Sequence, residues 1–103
     1  MAKLLIDYHP EARLEADIAF DWYRERSFRA AERFYLELER AQTRIQDSPA
    51  TWPEYLFGTR RILLKRYPFV VVYRVQEQRI EIIAVAHGRR KPGYWSARIQ
   101  HQQ

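Results

Sequence analysis

The sequence predicts an α+β fold in the order β-α-α-β-β-β, with a helical hairpin packed on one face of a small, mainly antiparallel sheet. Three observations carry this. Residues Ala31, Phe34, Leu38, Ala41 and Ile45 recur at spacings of 3, 4, 3 and 4, a helical seam. Phe69 to Val75 and Arg79 to His87 are β-branched, aromatic or aliphatic runs separated only by Gln76-Glu77-Gln78, so they form a hairpin. A short apolar run, Lys3 to Tyr8, precedes the helices. At 103 residues the chain is predicted to be one domain spanning residues 1–103.

Lys3 to Tyr8 (KLLIDY) reads as the first strand. Its partner is not adjacent in sequence, so it must pair at long range with Arg60–Arg66 or Arg79–His87. Pro10 suits the first turn of a helix, where its missing N–H is not needed. Glu11, Glu15 and Asp17 place negative charge in the early turns, which the helix dipole favours. Leu14, Ile18 and Trp22 recur every fourth residue, with Ala19 and Tyr23 beside them, and define one apolar face of a helix ending near Arg26. Ser27 is the expected N-cap of the second helix, and Asp47-Ser48-Pro49 stops it. The near absence of a linker makes the two helices an antiparallel hairpin.

Ala50 to Thr59 is a loop punctuated by Pro53 and Gly58, but Trp52, Tyr55, Leu56 and Phe57 make it apolar. These side chains either fold back over the core or line a partner groove, and large exposed apolar patches are uncommon. Arg60 to Arg66 is the next strand, ended by Tyr67-Pro68 because proline cannot donate to a ladder. Arg79 to His87 is apolar almost throughout, as expected of a central strand covered on both faces. Trp95 to Gln103 has no strong pattern and is expected to form a short helix or to fray.

Charge is unevenly distributed. Met1 to Gly58 carries 8 Lys and Arg against 11 Asp and Glu, a net of −3. Thr59 to Gln103 carries 10 against 2, a net of +8. That asymmetry points to an anionic partner. The most conspicuous cluster follows the last strand: His87, Gly88, then Arg89-Arg90-Lys91, Pro92-Gly93 and Tyr94-Trp95. Three adjacent cations repel one another, so phosphate or an acidic protein segment is the expected neighbour. Residues expected to meet it are Arg60, Arg61, Arg89, Arg90, Lys91, Trp95 and Arg98.

Other chemistries are disfavoured. With no cysteine, there is no disulfide, zinc finger or thiol nucleophile. His9, His87 and His101 have no recognised ligand spacing, so neither a metal nor another cofactor is expected. The N-terminus lacks a signal-peptide core, and no stretch approaches the ~20 apolar residues of a membrane span. A cytoplasmic protein without membrane contact is expected.

Taken together, Trp22-Tyr23, the Phe34/Leu38/Ala41/Ile45 seam, Pro49 and Arg61 through Leu64 match the early part of a known pattern. Tyr67-Pro68-Phe69, Val72-Tyr73-Arg74 and Ala84-Val85-Ala86-His87 continue it, and Arg89-Arg90, Pro92, Tyr94-Trp95 and Arg98 complete it. The chain resembles the ParE/RelE superfamily, the toxins of plasmid-stabilisation and chromosomal type II toxin–antitoxin systems, over nearly its whole length. The resemblance implies the same β-α-α-β-β-β fold and a cognate antitoxin in a hetero-oligomer; the apolar surface of Trp22, Tyr23, Trp52, Tyr55 and Phe57 is where that partner is expected. It implies one of two targets: DNA gyrase, without chemistry, on the ParE side, or mRNA on the ribosome, cleaved by a metal-independent endoribonuclease, on the RelE side.

Metal-free RNA cleavage needs a base for the 2′-hydroxyl, a cation for the phosphorane and an acid for the leaving oxygen. By resemblance these roles fall to Arg61, His87, Arg90 (or Arg89) and Tyr94. Arginine stays protonated, so its role there is charge stabilisation, and His87 is the candidate base. Each residue also has a structural reading. His87 can cap backbone groups or pack on Trp95, Arg61 and Arg74 can pair with Glu54 or Glu81, and Tyr94-Trp95 can cover the sheet. RelE-like ribonucleases carry lysines before or at the start of the first of the three clustered strands. Pro53 to Thr59 holds none here, which favours the ParE side.

Overall fold

A computed structural model describes residues 3–99. The elements are β1 (Leu5–Tyr8), α1 (Pro10–Arg26), α2 (Phe28–Asp47), β2 (Arg60–Leu63), β3 (Phe69–Gln76) and β4 (Arg79–His87), with short 3₁₀ turns at Leu56–Gly58 and Ser96–Ile99. The sheet order is β1-β4-β3-β2. β2, β3 and β4 are antiparallel neighbours, while β1 runs parallel to β4, with Leu5 opposite Arg79 and Tyr8 opposite Ile82. The first strand therefore chose the second of its two possible partners. The tail adopts a 3₁₀ turn as far as Ile99, and the rest of it lies outside the described residues.

Local signals set the helix ends. Pro10 occupies the first turn of α1, and the His9 side chain caps it by accepting from the Glu11 N–H. Ser27 caps α2 through its hydroxyl, 3.2 Å from the Ala30 nitrogen. Tyr8, just before α1, donates to Gln42 late in α2, whereas Tyr23 late in α1 stacks on Phe34 early in α2. The hairpin is thus antiparallel.

The α2 seam packs as read: Ala31, Phe34, Leu38, Ala41 and Ile45 are all buried. The α1 face does not. Leu14, Ile18 and Trp22 are 52%, 59% and 51% exposed, and the buried residues are Ala12, Ala16 and Ala19. Small side chains let the α1 backbone approach the sheet closely, and this turns the larger stripe to the outside.

Two layers of core result. Facing the helices are Ile62, Leu64, Val71, Tyr73, Ile80, Ile82 and Val85. On the opposite face Val72, Ile83, Ala84 and Ala86 are covered by Trp95, with Tyr55, Tyr94 and Ile99 around it. The central position of β4 explains its uninterrupted burial from Ile82 to Ala86. The 50s loop divides. Trp52 donates to the Arg44 carbonyl and Tyr55 packs by Trp95, but Phe57 is exposed with one edge on Trp95. Among the described residues, no helix is long and apolar enough to cross a membrane.

Candidate functional site

β1 ends at Tyr8, opposite Ile82, and the His9 N–H closes onto the Ile82 carbonyl before the chain turns into α1. Beyond that point β4 has no strand on its β1 side. A register shift against β3 pairs Val72 with Ala84 and Tyr73 with Ile82, leaving Ile83 as a bulge. Unpaired backbone groups in such a buried place are costly. Side chains satisfy them: the Val85 N–H donates to Glu15 Oε1 at 2.9 Å, and Arg98 Nη1 donates to the Ile83 carbonyl at 3.0 Å.

Glu15 and Arg98 also bind each other through two bonds, at 3.0 and 2.8 Å. The Tyr94 hydroxyl donates to Glu15 Oε2 at 2.6 Å, and Arg90 Nη1 lies 3.7 Å from the same oxygen. The Arg90 guanidinium stacks 3.6 Å over the Tyr94 ring. This clasp ties α1, the sheet edge and the tail together. Burial on its own would raise the Glu15 carboxyl; the bonds from Arg98, Tyr94 and Val85 outweigh it and hold the group below its ordinary pKa. Burial, and then donation to Glu15, push the Tyr94 phenol well up.

Beside the clasp lies an open groove of about 460 Å³. Ile18, Ala19, Trp22 and Tyr23 form its α1 wall, Pro68, Phe69 and Val85 its floor, and His87 and Arg90 its polar rim. His87 accepts the Arg89 N–H at Nδ1 and packs edge-on against Phe69, 5.2 Å away, rather than against Trp95. In the neutral ring that bond places the proton on Nε2.

The residues singled out in the sequence separate on this frame. His87 and Arg90 share the groove, and Tyr94 joins them through Glu15. Arg61 does not. It sits on β2 with β3 between it and β4, its guanidinium 4.5 Å from the Tyr55 ring. Arg60 is tied to the Trp52 carbonyl at 2.7 Å and to Glu54 at 3.6 Å, while Arg74 takes Glu81. Arg98 is committed to Glu15, and Trp95 is buried. Arg89 and Lys91 remain exposed, with no ion pair among the described residues. Of the aromatic set, Trp22 and Phe57 are exposed, while Tyr23, Trp52 and Tyr55 are half-buried. Among the described residues no three His, Asp or Glu side chains converge as metal ligands would.

Glu15 is the functional-looking residue that sequence reading passes over. It resembles any acid in the first turns of a helix, and its partners lie 70 to 83 positions away.

Comparison with known families settles the relationship. Residues 6–92 match the family model described as the ParE toxin of type II toxin–antitoxin system, parDE. The chain belongs to the ParE toxin family. A solved structure titled "Chromosomal ParDE TA system from P. aeruginosa" has a chain of the same fold, with a TM-score of 0.66 at 20% identity. The match covers 82% of this chain and 96% of that one. No curated protein sequence matches. The family's fold is the one seen here, with two helices against a mixed four-stranded sheet.

Proposed function

We propose that this ParE-family toxin arrests growth by acting on DNA gyrase, does not itself cleave RNA, and is neutralised by a cognate antitoxin. The observation that carries the choice of target is the clasp. A ribonuclease needs an available proton donor, and the phenol in the candidate position donates to Glu15 and has its pKa pushed up. The candidate phosphate-binding cation Arg61 stands on β2, with β3 between it and the strand that ends in His87. The His87 nitrogen that could act as a base already accepts a backbone N–H. Each of these weakens acid–base chemistry and leaves surface contact as the mode of action. The ribonuclease reading keeps one favourable observation, the shared groove of His87 and Arg90.

The antitoxin is expected on the groove beside Trp22. An amphipathic helix laid along Leu14, Ile18 and Trp22 would cover the exposed stripe of α1. Phe57 lies on the Trp95 side and extends the contact only if the antitoxin wraps around the sheet.

The test adds purified toxin to a DNA-supercoiling reaction and, in parallel, to a translating extract read by primer extension. Loss of supercoiling without codon-bounded cuts is expected. Normal supercoiling overturns the gyrase reading, and codon-bounded cuts lost in His87→Ala establish the other one. Trp22→Ala is expected to weaken co-purification with the product of the neighbouring open reading frame at least ten-fold, as for a buried aromatic anchor.

A further inference from the structure

We infer that the end of the sheet opposite the β3–β4 hairpin is a phosphate-binding surface for a double helix, built from two turns: Lys65-Arg66 between β2 and β3, and Arg89 to Lys91 after β4. The inference adds a second turn to the cations expected from sequence. It also commits to the backbone of a duplex rather than to an acidic peptide.

The two turns form one surface. Phe69 pairs with His87, the Gly88 N–H donates to the Pro68 carbonyl at 2.7 Å, and the Leu64 N–H donates to the Phe69 carbonyl at 3.0 Å. Lys65, Arg66, Arg89 and Lys91 are all exposed, and among the described residues none forms an ion pair. The other end of the sheet is different. There Arg79 pairs with Asp7, Arg74 with Glu81, Lys3 with Asp47 and Arg60 with Glu54. The fold thus neutralises strand cations at one end and gathers unpaired ones at the other. Arg66 is held there at φ 71°, a left-handed conformation that an arginine adopts only at a cost.

The rings at this end are turned inward. Tyr67 donates to the Ala30 carbonyl and packs on Tyr23 and Phe34, and Phe69 packs on Phe34 and His87. Of the exposed rings beside it, Trp22 is covered by Arg26 at 3.6 Å, and Phe57, next to Gly93, sets its edge on Trp95. Single strands are held by rings on which bases stack, and these turns offer none. Nor do Lys65-Arg66 and Gly88 to Lys91 include an apolar side chain to seat a peptide. What remains is a set of cations on a polar surface, the chemistry of phosphate-backbone contact.

The inference stands whether or not gyrase is the target, because it is read without gyrase. Fluorescence anisotropy of the purified toxin with labelled 20-base-pair DNA, the same duplex in RNA, and single-stranded DNA provides the test. Duplex binding is expected with a log–log salt slope of about −3.6, for roughly four phosphates at −0.9 each. Lys65→Ala with Arg66→Gly is expected to halve that slope and weaken low-salt binding at least ten-fold. Arg66→Gly also relieves the left-handed strain, so the variant should keep the wild-type melting temperature. Arg89→Ala with Lys91→Ala should do the same and leaves the Arg90 clasp intact. The DNA and RNA arms identify which double helix is held. Absence of duplex binding at 50 mM salt overturns the inference. So does tighter binding of the single strand, or duplex binding unchanged in both variants.

Discussion

Two helix carboxylates are withdrawn from water in this molecule, one on each arm of the hairpin, and their surroundings differ. Glu15 on α1 receives the Val85 N–H, the Tyr94 hydroxyl and two bonds from Arg98, whose own side chain is only 13% exposed. Glu37 on α2 is 8% exposed, meets the solvated Arg40 through Oε2, and has no hydrogen-bond partner for Oε1. Similar burial therefore serves opposite ends. Around Glu15 every donor is one that the fold would otherwise leave orphaned, so the carboxylate completes a network. Glu37 carries part of its desolvation cost uncompensated.

The largest expected effect follows from removing the better-connected group. Glu15→Ala leaves Arg98 charged and nearly buried, and also strips the Val85 N–H and Tyr94 hydroxyl of their acceptor. A loss of about 3–5 kcal/mol in urea unfolding is expected, as for other broken buried pairs. A loss below ~1 kcal/mol would mean that the clasp is dispensable. Next comes pH. The folded Glu15 value is depressed, so its contribution is fully present above the ordinary glutamate pKa of about 4.3 and is lost as pH falls through the lower folded value. The wild type should therefore lose stability more steeply below about pH 4 than Glu15→Gln, in thermal melts across that window. Tyr94→Phe removes one donor and leaves Arg98 in place, so about 1 kcal/mol is expected from the same unfolding assay. Glu37→Leu should cost nothing or stabilise by about 1 kcal/mol, and a clear loss would show that its ion pair with Arg40 matters more than the orphaned oxygen.

The same contrast marks how much could be read from the chain. The α2 seam was legible because Phe34, Leu38 and Ile45, with Ala31 and Ala41 in the same series, keep an unbroken helical period. The order of strands and the turn at Pro68 were legible because apolar runs and a proline are local signals. In α1 the rule that large apolar residues lie inside failed. Ala12, Ala16 and Ala19 face the sheet, while Leu14, Ile18 and Trp22 form the exposed stripe. The candidate site was half legible. His87, Arg90 and Tyr94 lie together, but Arg98 and Arg60 are held by internal partners and Arg61 lies across the sheet. The charge imbalance between the chain halves had more than one cause. Part of it is settled inside the fold, as first-half acids Asp7, Glu15 and Glu54 meet second-half Arg79, Arg98 and Arg60. No sequence period links residues so far apart, so only the folded chain shows which cations are left over.

The end of β1 at Tyr8 has a further consequence. Past it, the most apolar segment of the protein, Ile82 to Ala86, would present an open strand edge, and an open apolar edge is a template for pairing with another chain. A carboxylate and a guanidinium occupy that edge in place of a strand. They guard that edge against pairing with another chain, so a protein that has lost Glu15 should show, besides its lower stability, a tendency to form β-sheet aggregates on standing.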